Sequence, residues 1–454
     1  MSKETQILKR VSLRLAVGLV CCALGVAAQA PVYKLLYSPP LGSNLGAFYN
    51  VFEAKPGLFY IQSSWGGTNA SIFTVTSNGS VSVIYSFPQL TAMDYFVQAA
   101  NGQLYGSGIT GIPPYPSFYY SMDASGKNLQ EYPYPGAWGP TYNTTVAPPN
   151  QLYDLAAEVV NSQTVWAFAR ISESGQITVL HQFSGAEGVP DGYTRLILGP
   201  DGNFYSIGAQ SPHGISPMFI YGFTPSGTYS QLVTFPKVPG YDAFPLVAAT
   251  DGNLYGTFSS GGVNNTGLLY RVTLTGQYND FASFPATISS PRSLMQAADG
   301  NLYGTNVYNQ IFRYNFSKKQ VELVYQMNVE GSQGHCACIL VEGMDGKLYG
   351  AAPNGGNYPG MGAVFSLDIG LPKPAPTVSG LYPSSGAAGT KVLLWGNYLL
   401  GATSVSFNGA PAHYIGVTSI QSAYATVPPA ATSGPVTITT PNGSFTTTVD
   451  FTVQ

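Results

Sequence analysis

Apolar and polar residues alternate in short runs along most of the chain, and Gly, Pro, Asn, Asp or Ser interrupts each run. A period of two belongs to strands, whose side chains point to alternate faces, whereas a helix would repeat every 3.6 residues. One stretch shows the pattern clearly: Pro245 to Ala249, Asn253 to Thr257, Leu268 to Thr273 and Tyr278 to Phe284 read as four successive strands. Asp251-Gly252, between the first two, predicts a tight hairpin of the primed type, which needs positive backbone angles. Beyond residue 30 the pattern predicts no amphipathic helix.

The same stretch recurs. Turn residues, an apolar residue and a tyrosine repeat at Tyr60, Tyr105, Tyr153, Tyr205, Tyr255, Tyr303 and Tyr349, spaced 45, 48, 52, 50, 48 and 46 residues apart. Four antiparallel strands per repeat, in seven serial copies, predict an all-β fold: a seven-bladed β-propeller over residues 31–371. The seventh copy stops after its third run, Ala363 to Leu367. Tyr33 to Ser38 resembles the fourth-strand segments Val83 to Phe87 and Leu323 to Met327, so the N-terminal strand is expected to complete the last blade. Such closure removes the exposed sheet edges of an open ring.

These repeats resemble the bacterial GloVer (Gloeo/Verruco) tandem-repeat proteins. The matching residues include Gly261-Gly262, Val364-Phe365-Ser366-Leu367, Ser226-Gly227, Ile84-Tyr85-Ser86-Phe87, Asp242-Ala243-Phe244-Pro245 and Asp251-Gly252-Asn253-Leu254-Tyr255-Gly256. The resemblance implies an exported protein and carries no established activity. Copies two and three, around Ile109 to Tyr119 and Pro133 to Ala157, depart from the pattern.

Residues 372–376, Pro-Lys-Pro-Ala-Pro, predict a stiff extended linker. Beyond it, residues 377–454 alternate through Lys391 to Trp395, Ser404 to Phe407, Ala423 to Val427, Val436 to Thr440 and Phe445 to Val453, which predicts an immunoglobulin-like β-sandwich. Pro376-Thr377-Val378, Tyr382-Pro383-Ser384-Ser385-Gly386, Gly389-Thr390-Lys391-Val392 and Trp395-Gly396-Asn397-Tyr398-Leu399 resemble the IPT/TIG family, which implies a spacer or adhesive module.

Residues 1–30 have the form of a cleavable signal peptide: Lys3, Lys9, Arg10 and Arg14, then an apolar stretch from Leu15 to Ala28, then Ala28-Gln29-Ala30. The expected location is secreted or at the cell surface, with no integral membrane span once the signal is removed. Removal takes four basic residues and one acidic residue from a chain of formal charge -3 and leaves -6. Only 9% of residues are charged, against about 25% in an average domain, which excludes nucleic acid as a partner. Cys336 and Cys338 then remain and form no disulfide framework; with His335 they cannot surround a tetrahedral metal from one strand. No cofactor or metal site is predicted.

In a propeller, the loops between second and third strands share one face with the loops that cross between blades. The residues expected to bind ligand there are Trp65, Asn69, Tyr115, Trp138, His213, Asn264, Tyr308, Asn357 and Tyr358. Aromatic faces and amides suit a polyhydroxyl ligand, so the expected function is non-enzymatic binding or adhesion, with extracellular polysaccharide or a surface protein as partner. A hydrolase or lyase reading, acting on extracellular polysaccharide, places paired carboxylates at Asp191 and Asp242 on the same face, and a third reading is a structural protein-interaction scaffold. Asp201, Asp251, Asp299 and Asp345 are instead explained by hairpin turns.

Overall fold

The computed structural model describes residues 30–454 except 41–46, 64–69, 89, 94–95, 111–116, 134–137, 141–143, 161–162, 191–194, 211–216, 236–245, 328–338 and 354–361. The described residues form strands and turns without a helix. Up to Asp368 they pair into seven antiparallel sheets, each built from consecutive strands except the last. The fifth contains Val247–Ala248, Asn253–Phe258, Leu268–Thr273 and Tyr278–Ser283, close to the alternation in the sequence. The last joins Val32–Tyr37 to Ala363–Asp368, Leu348–Ala352 and Ile339–Glu342. Tyr33 stands opposite Leu367 and Leu35 opposite Phe365, so the N-terminal strand closes that blade as expected.

Strand position within a blade sets burial. Middle strands such as Phe204–Ala209 and Met218–Phe223 are buried along almost their whole length, because neighbouring sheets cover both of their faces. Outer strands such as Val81–Ser86 and Tyr229–Thr234 leave half of their residues exposed to water. Apolar clusters fill the junctions between adjacent sheets. In one, Leu36, Tyr349 and Val364 of the last sheet meet Phe48, Phe59 and Phe73 of the first, with the Phe59 and Tyr349 rings stacked 3.9 Å apart. Repeat glycines permit this density: a Cβ on Gly256 would overlap the ring of Tyr270 on the adjoining strand.

The Asp-Gly turns differ from the predicted primed hairpin. Only the glycine has a positive φ, +80° at Gly252, and its N–H donates to Ala249 O at 3.0 Å while Ala249 N–H donates to Asn253 O at 2.9 Å. This is a three-residue loop, a type I turn followed by a left-handed glycine. The aspartate keeps ordinary backbone angles because its side chain does the work. Asp251 Oδ1 accepts from Asn253 N–H at 3.0 Å, and Oδ2 accepts from Asn253 Nδ2 at 2.9 Å and from Tyr255 Oη at 2.8 Å. Asp201, Asp299 and Asp345 bind Tyr205, Tyr303 and Tyr349 in the same way. In these four copies the recurring tyrosine is therefore tied to the turn four residues before it, whereas Tyr60 and Tyr153 donate to the distant carbonyls of Ala124 and Pro225.

The C-terminal strands form two sheets. One contains Thr377–Tyr382, Lys391–Asn397, Ser422–Thr426 and Ile415–Ser419; the other is built around Gly443–Val453, Gly434–Thr440 and Ser404–Phe407. Leu394, Val405, Phe407, Ile438 and Phe451 fill the space between them. The sequence pattern missed Thr377–Tyr382 and Ile415–Ser419, whose glycines and polar residues dilute the apolar signal.

Candidate functional site

The innermost strands of the seven sheets surround a cavity of about 2150 Å³. Its wall is set by chain position. The residues seven before the repeat tyrosines, Glu53, Gln98, Val146, Leu198, Ala248, Gln296 and Glu342, occupy equivalent places on those strands. Three of the polar ones join neighbouring sheets. Gln296 Oε1 accepts from Thr250 N–H at 2.8 Å, Glu342 Oε2 from Ala298 N–H at 2.7 Å, and Glu53 Oε2 from Met344 N–H at 2.7 Å. The third contact links the last sheet to the first. Arg195 and Arg292 also line the cavity, as do Asn50, Gln62 and Thr144.

Two of these carboxyls are nearly inaccessible. Burial pushes Glu53 up to about 7, against the pull of hydrogen bonds from the Gly57 and Met344 N–H groups. Burial also raises Glu342, opposed by the Tyr398 hydroxyl and the Ala298 N–H.

The C-terminal domain closes one end. Trp395, Tyr398, Ile420 and Gln421 add to the cavity wall. Leu393 and Trp395 pack with Ala99, Ala100 and Tyr105 of the propeller. Asn442 Nδ2 donates to Met344 O at 2.7 Å and to Pro374 O at 3.2 Å. Met344, Ala99 and Ala100 all flank the turns between first and second strands, so the domain seats on the hairpin-turn face. Second strands start at these turns and end at the loops that carry the candidate ligand residues, which places those loops on the opposite face.

Of the candidate residues, Asn264 and Tyr308 lie within the described loops. Asn264 Nδ2 donates to Phe284 O at 3.1 Å, which anchors its own loop. Tyr308 is 59% exposed, and its N–H donates to Asn306 Oδ1 at 3.0 Å. Trp138 stands in a short strand, Trp138–Pro140, opposite Glu158, instead of in a crossing loop, because the second strand of its blade extends far enough to pair with it. Trp65, Asn69, Tyr115, His213, Asn357, Tyr358, Asp191 and Asp242 lie outside the described residues, as do His335, Cys336 and Cys338. Among the described residues no group of three or more His, Cys, Asp or Glu side chains could hold a metal ion, and no helix is long and apolar enough to cross a membrane. The channel residues escaped sequence reasoning, although the shared offset from each repeat tyrosine would have found Gln98 and Gln296.

Residues 193–404 match the model of the Gloeobacter/Verrucomicrobia repeat, and residues 376–453 match that of the IPT/TIG domain. No curated protein sequence matches the chain. Among solved structures, an oligogalacturonate lyase in complex with manganese superposes with a TM-score of 0.52 at 12% identity, over 75% of this chain and 97% of that one. An oligogalacturonate lyase from Vibrio parahaemolyticus gives 0.51 at 10% identity, over 75% and 98%. A puromycin hydrolase gives 0.51 at 11%, over 80% of this chain and 61% of that one. At such identities the likeness extends to fold alone. The chain is a β-propeller protein that carries the Gloeobacter/Verrucomicrobia repeat and, C-terminal to the propeller, an immunoglobulin-like IPT/TIG domain.

Proposed function

We propose that this is a secreted or cell-surface protein that binds extracellular carbohydrate without chemical turnover. The observation that carries the proposal is the channel: a cavity larger than the roughly 300–1,000 Å³ of a small-molecule pocket, with the partly exposed amides of Gln98 and Gln296 on its wall. Such groups exchange hydrogen bonds with sugar hydroxyls. The signal-like residues 1–30 support export, and the IPT/TIG domain fits an adhesive role.

The test incubates the protein lacking residues 1–30 with soluble and insoluble polysaccharides, and measures both protein depletion and released reducing sugar. Depletion without release is expected. Release would overturn the non-enzymatic reading and make Asp191 and Asp242 the first residues to substitute. Neither result across the panel would overturn the carbohydrate reading and turn the search to a protein partner.

A further inference from the structure

The ring has one joint. In every other sheet a short turn connects the third and fourth strands, but in the last sheet Val32–Tyr37 pairs with Ala363–Asp368 across the whole length of the propeller chain. Beside that pair, the Met344 N–H donates to Glu53 Oε2 and the Tyr349 ring stacks on Phe59 of the first sheet. Closing contacts so far apart along the chain costs more entropy than closing a hairpin, so this is where the ring gives way first.

The C-terminal domain spans the joint. On the last sheet, Asn442 Nδ2 donates to Met344 O, and Tyr398 Oη donates to Glu342. On the first sheet, Gly401 lies against Pro56, where a Cβ would stand 3.5 Å from the proline ring. On the second, Leu393 and Trp395 pack with Ala99, Ala100 and Tyr105, and Thr418 stands beside Gly102. The turns of the fourth, fifth and sixth sheets are left free: a Cβ added at Gly202, Gly252 or Gly300 would meet no atom within 4 Å among the described residues.

The strand Lys391–Asn397 is built for this seat. Its side chains alternate, so that Val392 and Leu394 fill the sandwich interior while Leu393 and Trp395 face the propeller. A sandwich strand needs one apolar face, and the second apolar face here is committed to docking. The linker is drawn tight as well. A Cβ on Gly346 would lie 2.8 Å from Leu371 O, and Asn442 Nδ2 also donates to Pro374 O at 3.2 Å.

We propose that the C-terminal domain is a clasp on the propeller. Docked across the last, first and second sheets, it holds the ring shut at its joint, and its release lets Val32–Tyr37 part from Ala363–Asp368. The fourth and fifth sheets, whose turns it leaves free, stay closed. The device does not depend on what the channel holds.

The experiment compares amide hydrogen exchange in the protein lacking residues 1–30 with that in the same protein carrying Trp395→Ala and Asn442→Asp. The first change empties the seat, and the second turns a donor into an acceptor that faces two carbonyl oxygens; neither alters the sandwich interior. Small-angle X-ray scattering reports release as a longer maximum dimension. In the released protein, exchange in Val32–Tyr37 and Ala363–Asp368 is expected to rise at least about tenfold more than in Phe204–Ala209 and Asn253–Phe258, with Gly434–Thr440 still protected. An equal rise in all of them, or none at the joint, would overturn the clasp, as would a double variant that stays docked. If the double variant does not fold, the parent protein decides. Its joint amides are expected to open with a steep dependence on urea, because release and opening expose surface together, and a shallow slope would overturn the proposal.

Discussion

Tyr398 of the C-terminal domain donates its hydroxyl proton to Glu342 of the last propeller sheet at 2.7 Å, and the same carboxylate oxygen accepts the Ala298 N–H of the preceding sheet. One buried carboxyl thus holds three parts of the molecule: two sheets and a separate domain. Glu342 is 3% exposed, so any donor it loses is not replaced by bulk water.

The Tyr398 and Glu342 pair is expected to show strong energetic coupling. Tyr398→Phe should destabilise by about 1–3 kcal/mol, because it strips a buried acceptor of a donor. A double-mutant cycle with Glu342→Gln should return a coupling of about 0.5–3 kcal/mol from urea unfolding. Additive effects would show that the contact contributes nothing to docking.

Glu53 makes stability fall as pH rises. Its carboxyl binds a proton more tightly in the folded chain, where burial raises it to about 7, than in the unfolded chain near 4.5. Its contribution is complete below the unfolded value and is lost as pH climbs through about 7, a difference of about 3 kcal/mol. Urea midpoints at pH 5 and pH 7.5 should therefore diverge less in Glu53→Gln than in the parent protein. Equal divergence in both would refute the assignment.

Asp251 behaves in the opposite sense. Burial raises its carboxyl, but hydrogen bonds from Asn253 and Tyr255, with Arg271 nearby, outweigh burial and hold it below the usual value. Its contribution is present above the unfolded pKa and is lost as acid protonates it. Asp251→Ala should cost about 1–2 kcal/mol at neutral pH, and Asp299→Ala should add a similar amount independently, since the two turns belong to different sheets. Glycan binding should be unchanged in both. A loss of binding without a loss of stability would give the turn aspartates a functional role that their geometry does not show.

Closure of the last sheet can be tested at Tyr33, whose ring lies 5.5 Å from Tyr325, nearly parallel to it, and 5.5 Å from Phe365. Tyr33→Ala should lower stability by about 2–4 kcal/mol through the cavity it leaves. The uncovered edge of Ala363–Asp368 should then promote self-association, visible by size-exclusion chromatography. A monomer with an unchanged urea midpoint would show that this strand is dispensable.

The fold was legible because its signal is local and repeated. Asp251, Asn253 and Tyr255 lie within five residues of one another, and the hydrogen bonds that made the pattern recur are all inside that segment. Even so, the turn type was misjudged, because Asp-Gly fits both a two-residue loop and the last two places of a three-residue one. The channel was not legible for the opposite reason. Its wall draws several positions from each copy, and the one seven before the repeat tyrosine varies from Glu53 through Val146 and Ala248 to Gln296, so no contiguous motif marks it. Tyr398 was visible only as part of a domain signature; its bond to Glu342 exists only once two separately folded units meet.

The bond between Glu53 and Met344 joins residues 291 positions apart. During synthesis the first strand emerges early, yet its partner, Ala363–Asp368, is among the last propeller residues made. Long-range pairings of this kind slow folding, because chain entropy must be surrendered before the contact forms. The ring joint therefore sets a clock: intermediate chains hold six finished junctions and one open pair of ends, and the slowest refolding phase should follow closure of that joint.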